Sequence, residues 1–181
     1  MKNIFIVAVL FVFVSCVEGS AQRQQTERIN WLTFEEALKQ NAAAPRYILI
    51  DVYTDWCGHC KTMDAQTFNN PVIARFINQN FYAIKFNAES TDKIEFGGHT
   101  FVNEGAGARG RRATHQFASA LGVTGYPTVA YFTGDLELIG AIPGFFRPEQ
   151  LEPLLHFIAK EKYMTVSFDD FQKTFSGELK K

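Results

Sequence analysis

Tyr47-Ile48-Leu49-Ile50-Asp51-Val52-Tyr53-Thr54-Asp55-Trp56-Cys57-Gly58-His59-Cys60 is the stretch that decides how this chain folds. Its first seven residues are β-branched, aromatic or aliphatic with a single charge, Asp51, the pattern of a strand buried on both faces in the middle of a sheet. The next residues close tightly around two cysteines three positions apart. The run therefore reads as a buried strand that ends in a Cys-x-x-Cys turn and passes straight into a helix.

Outward from that point the elements alternate. Lys61 to Phe68 continues the helix, and Asn70-Pro71 restarts it with an N-cap and a proline at the first position, running to about Gln79. Phe81 to Asn87 is the next strand, and a crossover of this length makes the pair parallel, a right-handed βαβ unit. Upstream, Thr33-Phe34-Glu35-Glu36 has the capping-box spacing, so a helix is expected to about Asn41, closed off by Pro45. Downstream, residues 88–113 break the pattern and read as an inserted, partly flexible excursion with a short strand at His99 to Val102. Thr114 to Leu121 reads as helix. Thr128 to Thr133 and Leu136 to Ile142 read as a hairpin about Gly134-Asp135, and Pro148 opens a long helix to about Lys162. A short extra helix after Ser167 carries Phe168, Phe171 and Phe175 on one side. The fold class is α/β in one domain, since 181 residues with 46% hydrophobic content fill a single core.

A cysteine pair at a helix start can close a disulfide, and the unsatisfied backbone N–H groups there favour a thiolate on the first sulfur. Cys57 is expected to be the exposed nucleophile and Cys60, one turn deeper, the resolving thiol. His59, beside the helix start, would stabilise the Cys57 thiolate as an imidazolium. Other chemistries fit poorly. A zinc site lacks a second cysteine pair, and His99, His115 and His156 have no ligand spacing. Haem attachment needs a histidine where Lys61 stands. Gly105-x-Gly107-x-x-Gly110 matches a dinucleotide fingerprint formally but has no long apolar strand before it. No cofactor or metal is expected. Arg109, Arg111 and Arg112 read as a solvated loop, and Phe101 and Phe117 as core. With 18 Lys and Arg against 19 Asp and Glu, no global field draws the chain to nucleic acid or an anionic membrane.

The N-terminus reads as an export signal. Lys2 precedes an apolar run of eleven residues, Ile4 to Val14, too short to span a membrane. Two processing sites compete. Gly19-Ser20-Ala21 would release a protein beginning near Gln22, whereas Phe13-Val14-Ser15-Cys16 resembles a lipoprotein box that would leave a lipid anchor on Cys16. Either way the expected location is the bacterial periplasm or cell envelope.

Several landmarks together resemble the thioredoxin family: Ile50 to Cys57 with an Asp six residues before the first Cys and a Trp just before it, Gly122-Val123-Thr124-Gly125-Tyr126-Pro127-Thr128, and Gly144 after the last strand. The Cys-Gly-His-Cys tetrad is similar to that of protein disulfide isomerases. The resemblance implies a thioredoxin fold, a central mixed sheet flanked by helices. It implies that Asp51 is a buried carboxylate exchanging a proton with Cys60, that Pro127 is cis beside the disulfide, and that Tyr126 offers backbone groups to a substrate strand. Trp56 would pack by Cys57, and Lys85 would lie near Asp51. The organisation expected is a signal peptide at 1–21, a polar leader at 22–30, a thioredoxin-like domain at 31–163 with its insertion at 88–113, and a C-terminal helical extension at 164–181. The activity expected is thiol-disulfide exchange with protein disulfides, in the reducing direction and fed by a protein electron donor. The alternatives are an oxidase or isomerase, and a binding or chaperone module with an idle cysteine pair.

Overall fold

The computed structural model describes residues 27–105 and 113–179. The expected signal segment, Cys16, and Arg109, Arg111 and Arg112 lie outside the described residues, as do Gly107 and Gly110. A mixed five-stranded sheet forms the centre, in the order β1 (Trp31–Leu32), β3 (Phe81–Asn87), β2 (Tyr47–Tyr53), β6 (Thr128–Phe132), β7 (Leu138–Pro143). β1, β3 and β2 run parallel, and β6 and β7 are antiparallel to their neighbours. Strand β2, which leads into the cysteine turn, is thus the middle one, as its largely apolar run predicts.

Alternation along β2 sorts the two cores. Ile48, Ile50 and Val52 face one layer, packed with α1 (Phe34–Ala43), α4 (Gln116–Ala120) and the insertion's hairpin, β4 (Ile94–Phe96) with β5 (His99–Phe101). Leu49 faces the other, with Met63 of α2 (Gly58–Met63) and with α3 (Pro71–Asn80) and α5 (Pro148–Ala159). Asp51 shares that second face with Leu49.

The capping signals act where expected. Thr33 and Glu36 form the reciprocal capping box of α1, and the Asn70 side chain accepts from the N–H groups of Val72 and Ile73. The interruption between α2 and α3 is a π-helical turn, Asp64–Phe68. Phe117 fills core, buried against Phe34, Phe86, Phe96 and Phe101, and Phe101 packs on that core half-buried.

Several boundaries differ. β1 was not expected, being only two residues long, and Ile29 of the supposed leader is buried in the core. Within the described part of the insertion, Gly97 and Gly98, both at positive φ, turn β4 into β5. α4 starts at Gln116 because the His115 ring takes the cap, accepting from the N–H of Phe117. β7 starts at Leu138, since Leu136 adopts φ 66° and extends the turn. α5 ends at Ala159 rather than near Lys162, where Glu161 turns left-handed at φ 53°. The helix after Ser167, α6 (Phe168–Thr174), lays Phe168 and Phe171 on Phe157, and Phe175 against Phe171 and His156.

Candidate active site

Cys57 caps α2. Its Sγ accepts from the N–H of Cys60 at 3.0 Å, and the two sulfurs are joined at 2.05 Å with Cα atoms 5.3 Å apart. The cap is the geometry that favours negative charge on this sulfur once the bond opens. In the disulfide form Cys57 is not the exposed residue the sequence suggests: it is 5% exposed, close to the 3% of Cys60. The strand-to-helix turn holds it in, with its own N–H bonded to Thr54 O at 3.1 Å. Neighbouring Trp56 is the exposed one, at 50%. Its ring meets Tyr126 edge-on at 5.9 Å, and its Nε1 donates to Glu89 Oε1 at 3.0 Å.

The Tyr126–Pro127 peptide bond is cis. Pro127 is buried and Tyr126 half-buried. Gly144, at φ 115°, sends its N–H to Pro127 O at 2.8 Å, so this glycine joins the β7 exit to the proline turn in a conformation that other residues rarely adopt. His59 is exposed on α2, its ring 6.4 Å from that of Phe145.

A charged cluster lies on the sheet face that packs Met63 of α2. Asp51 is 2% exposed and pairs across the sheet with Lys85, whose Nζ is 3.1 Å from Oδ2. The other oxygen, Oδ1, is buried and accepts from no described group. Burial raises the Asp51 carboxyl to about 6, against the opposing pull of Lys85 and with a smaller push from Asp64. Burial alone would lower Lys85, but Asp51 and Asp64 together outweigh it and hold the ammonium above its ordinary value.

The structure thus joins Cys57 to Cys60, sets Trp56 against Tyr126 at the cis proline bond, and puts Asp51 with Lys85 on the same sheet face as the dithiol helix's Met63. Two contributors were not foreseen. Asp64 contacts Lys85 from the π-helical turn, and Glu89 holds the Trp56 indole from the start of the insertion. The one available signal for Asp64 is its seven-residue spacing from Cys57, two helical turns; Glu89 carries none beyond its charge.

A thioredoxin-like domain model matches residues 34–159. This chain belongs to the thioredoxin-like family. The thiol:disulfide interchange protein DsbD of Vibrio vulnificus is 31% identical over an 87-residue alignment that covers 41% of this chain and 15% of that much longer protein. Among solved structures, the DsbH oxidoreductase superposes with a TM-score of 0.53 at 14% identity, covering 74% of this chain and 85% of that one. A thioredoxin from Thermus thermophilus gives 0.52 at 18% identity, covering 71% and 85%. Both likenesses carry the fold. No described helix is long and apolar enough to cross a membrane.

Proposed function

We propose that this thioredoxin-like chain is a thiol-disulfide oxidoreductase that reduces disulfides of exported proteins through Cys57 and Cys60. The observation that carries the reading is a disulfide at the N-cap of α2 on the strand-helix unit whose buried carboxylate, Asp51, is raised to about 6 and keeps one oxygen uncommitted. In the reduced form the Cys57 thiolate attacks a partner's disulfide, and one partner sulfur leaves as thiol. Cys60 then gives its proton to Asp51 and attacks Cys57, which closes the bond and releases the second partner sulfur. Trp56, Tyr126 and Pro127 would meet the partner's extended strand, with the Tyr126 backbone as its hydrogen-bonding edge. The oxidised pair is restored by a protein electron donor.

Asp51 suits reduction or isomerisation, because a proton acceptor for the resolving thiol speeds its attack on the mixed disulfide. His59 favours the second reading, an oxidase or isomerase, because a cation at the helix start stabilises the thiolate and so the reduced form. Export, and a lipid anchor on Cys16, rest on the N-terminal sequence pattern alone. The organisation into a signal at 1–21, a domain at 31–163 and an extension at 164–181 belongs to the same proposal.

The test is turnover of a protein disulfide by the wild type, Cys57→Ser and Cys60→Ser. Cys57→Ser should abolish it, and Cys60→Ser should accumulate mixed disulfides on Cys57. Unchanged handling of partners by Cys57→Ser would instead identify a binding or chaperone module.

A further inference from the structure

Lys85 stands between two carboxylates. Its Nζ is 3.1 Å from Asp51 Oδ2 and also contacts Oδ1 of Asp64 on the π-helical turn behind the dithiol helix. Aromatic faces lie near the ammonium, with the ring centroids of Tyr53, Trp31 and Phe68 at 5.1, 5.2 and 6.0 Å from Nζ. The ammonium thus has two carboxylate partners and three ring neighbours. Side-chain exposure rises along the series, from 2% at Asp51 through 26% at Lys85 to 38% at Asp64. One cation cannot fully compensate two anions, so what Asp64 takes, Asp51 lacks.

On the oxidoreductase reading above, we propose that Asp64 is a positioning residue: by holding Lys85 between itself and Asp51, it sets the pH at which the buried carboxylate takes the proton of Cys60. The Cys60 thiol passes its proton to Asp51, the thiolate attacks Cys57 Sγ, the Cys57–Cys60 bond forms, and the bond from Cys57 to the partner breaks with its electron pair on the partner's sulfur. That sulfur takes a proton from solvent, and two electrons have passed from the dithiol to the partner.

The groups facing the cluster come from each packed element: Tyr53 on β2, with Asp55 beyond it, Tyr131 on β6, Lys85 on β3 and Asp64 on the turn. Burial holds both phenols above their ordinary values and the carboxylates hold Lys85 above its own, so neither phenols nor ammonium change charge between about pH 5 and 8. With Asp64 neutral, Lys85 would serve Asp51 alone and favour its charged form at lower pH.

The experiment compares the full chain with Asp64→Asn and Asp64→Glu in two readouts. The first is the pH profile of insulin reduction driven by dithiothreitol, and the second is the titration of the Asp51 side-chain carboxyl by 13C NMR in the oxidised protein. Asp64→Asn should move both the acid limb and the Asp51 titration down by about one pH unit, which is tenfold in proton affinity, and Asp64→Glu should restore both. An Asp51 titration unmoved in Asp64→Asn, or a uniform loss of rate at every pH in both variants, would overturn the assignment. Should the wild type fail to reduce insulin, the oxidoreductase reading fails, while the NMR titration still decides whether Asp64 governs Asp51.

Discussion

Replacing Asp51 by Asn should stabilise the oxidised protein, and the gain should grow with pH. The carboxyl rises from an ordinary 3.8 to about 6 because β2 buries it to 2% exposure. Between those two values the native state keeps a proton that the unfolded chain has already released. Stability then falls as pH rises through this window, and the whole penalty stands above it. At about 1.4 kcal/mol per decade, the penalty is about 0.5 kcal/mol at pH 4 and about 3 kcal/mol at pH 8. The lost contact to Lys85 adds a roughly constant offset, since that ammonium stays charged throughout and keeps Asp64. Denaturant unfolding with the Cys57–Cys60 bond intact, at several values from pH 4 to 8, gives the difference between variant and wild type directly. That difference should shift in favour of Asp51→Asn by about 2.5 kcal/mol across the range. A difference independent of pH, or one moving against the variant as pH rises, would refute the argument that Asp51 is held against its charge.

Other sites test the packing that supports the cluster. Phe117→Ala removes a buried ring that touches Phe34, Phe86, Phe96 and Phe101 with centroids between 5.1 and 5.5 Å away, and should cost about 3 to 5 kcal/mol in the same unfolding assay. Removing residues 165–181 strips Phe168 and Phe171 from Phe157 and takes from the buried Glu152 carboxylate the N–H groups of Glu178 and Leu179, at 2.6 and 3.0 Å. The truncated chain should lose about 2 to 4 kcal/mol yet keep its rate of insulin reduction within twofold below its unfolding temperature. Equal melting of truncated and full chains would show that the extension contributes nothing to the domain.

The centre of the fold was legible because each local signal there had one physical meaning. The run Tyr47 to Tyr53, apolar but for Asp51, reads as a central strand, and Asn70-Pro71 reads as a helix start. The edges were harder. Trp31–Leu32 is too short to show a period, and the left-handed turns at Leu136 and Glu161 fall on residues that carry no turn signature. At the site, the cysteine pair, Asp51 and the proline turn could be named because their spacing resembles a known family. Asp64 and Glu89 could not, because their partners, Lys85 and Trp56, lie 21 and 33 residues away in sequence and meet them only once the parallel strands pair. The burial of Cys57 was missed for a related reason: the helix start indicates which sulfur gains as a thiolate, whereas its exposure depends on how the turn from β2 closes over it.

Thiol-disulfide exchange by this chain requires that the Cys57–Cys60 bond be an exchanging disulfide. Its equilibrium potential, measured in glutathione and dithiothreitol buffers on protein beginning at Gln22, tests that most directly. A single two-electron transition near the thioredoxin value of about −270 mV is the predicted result. A bond that stays closed well below about −300 mV, as structural disulfides do, would contradict it.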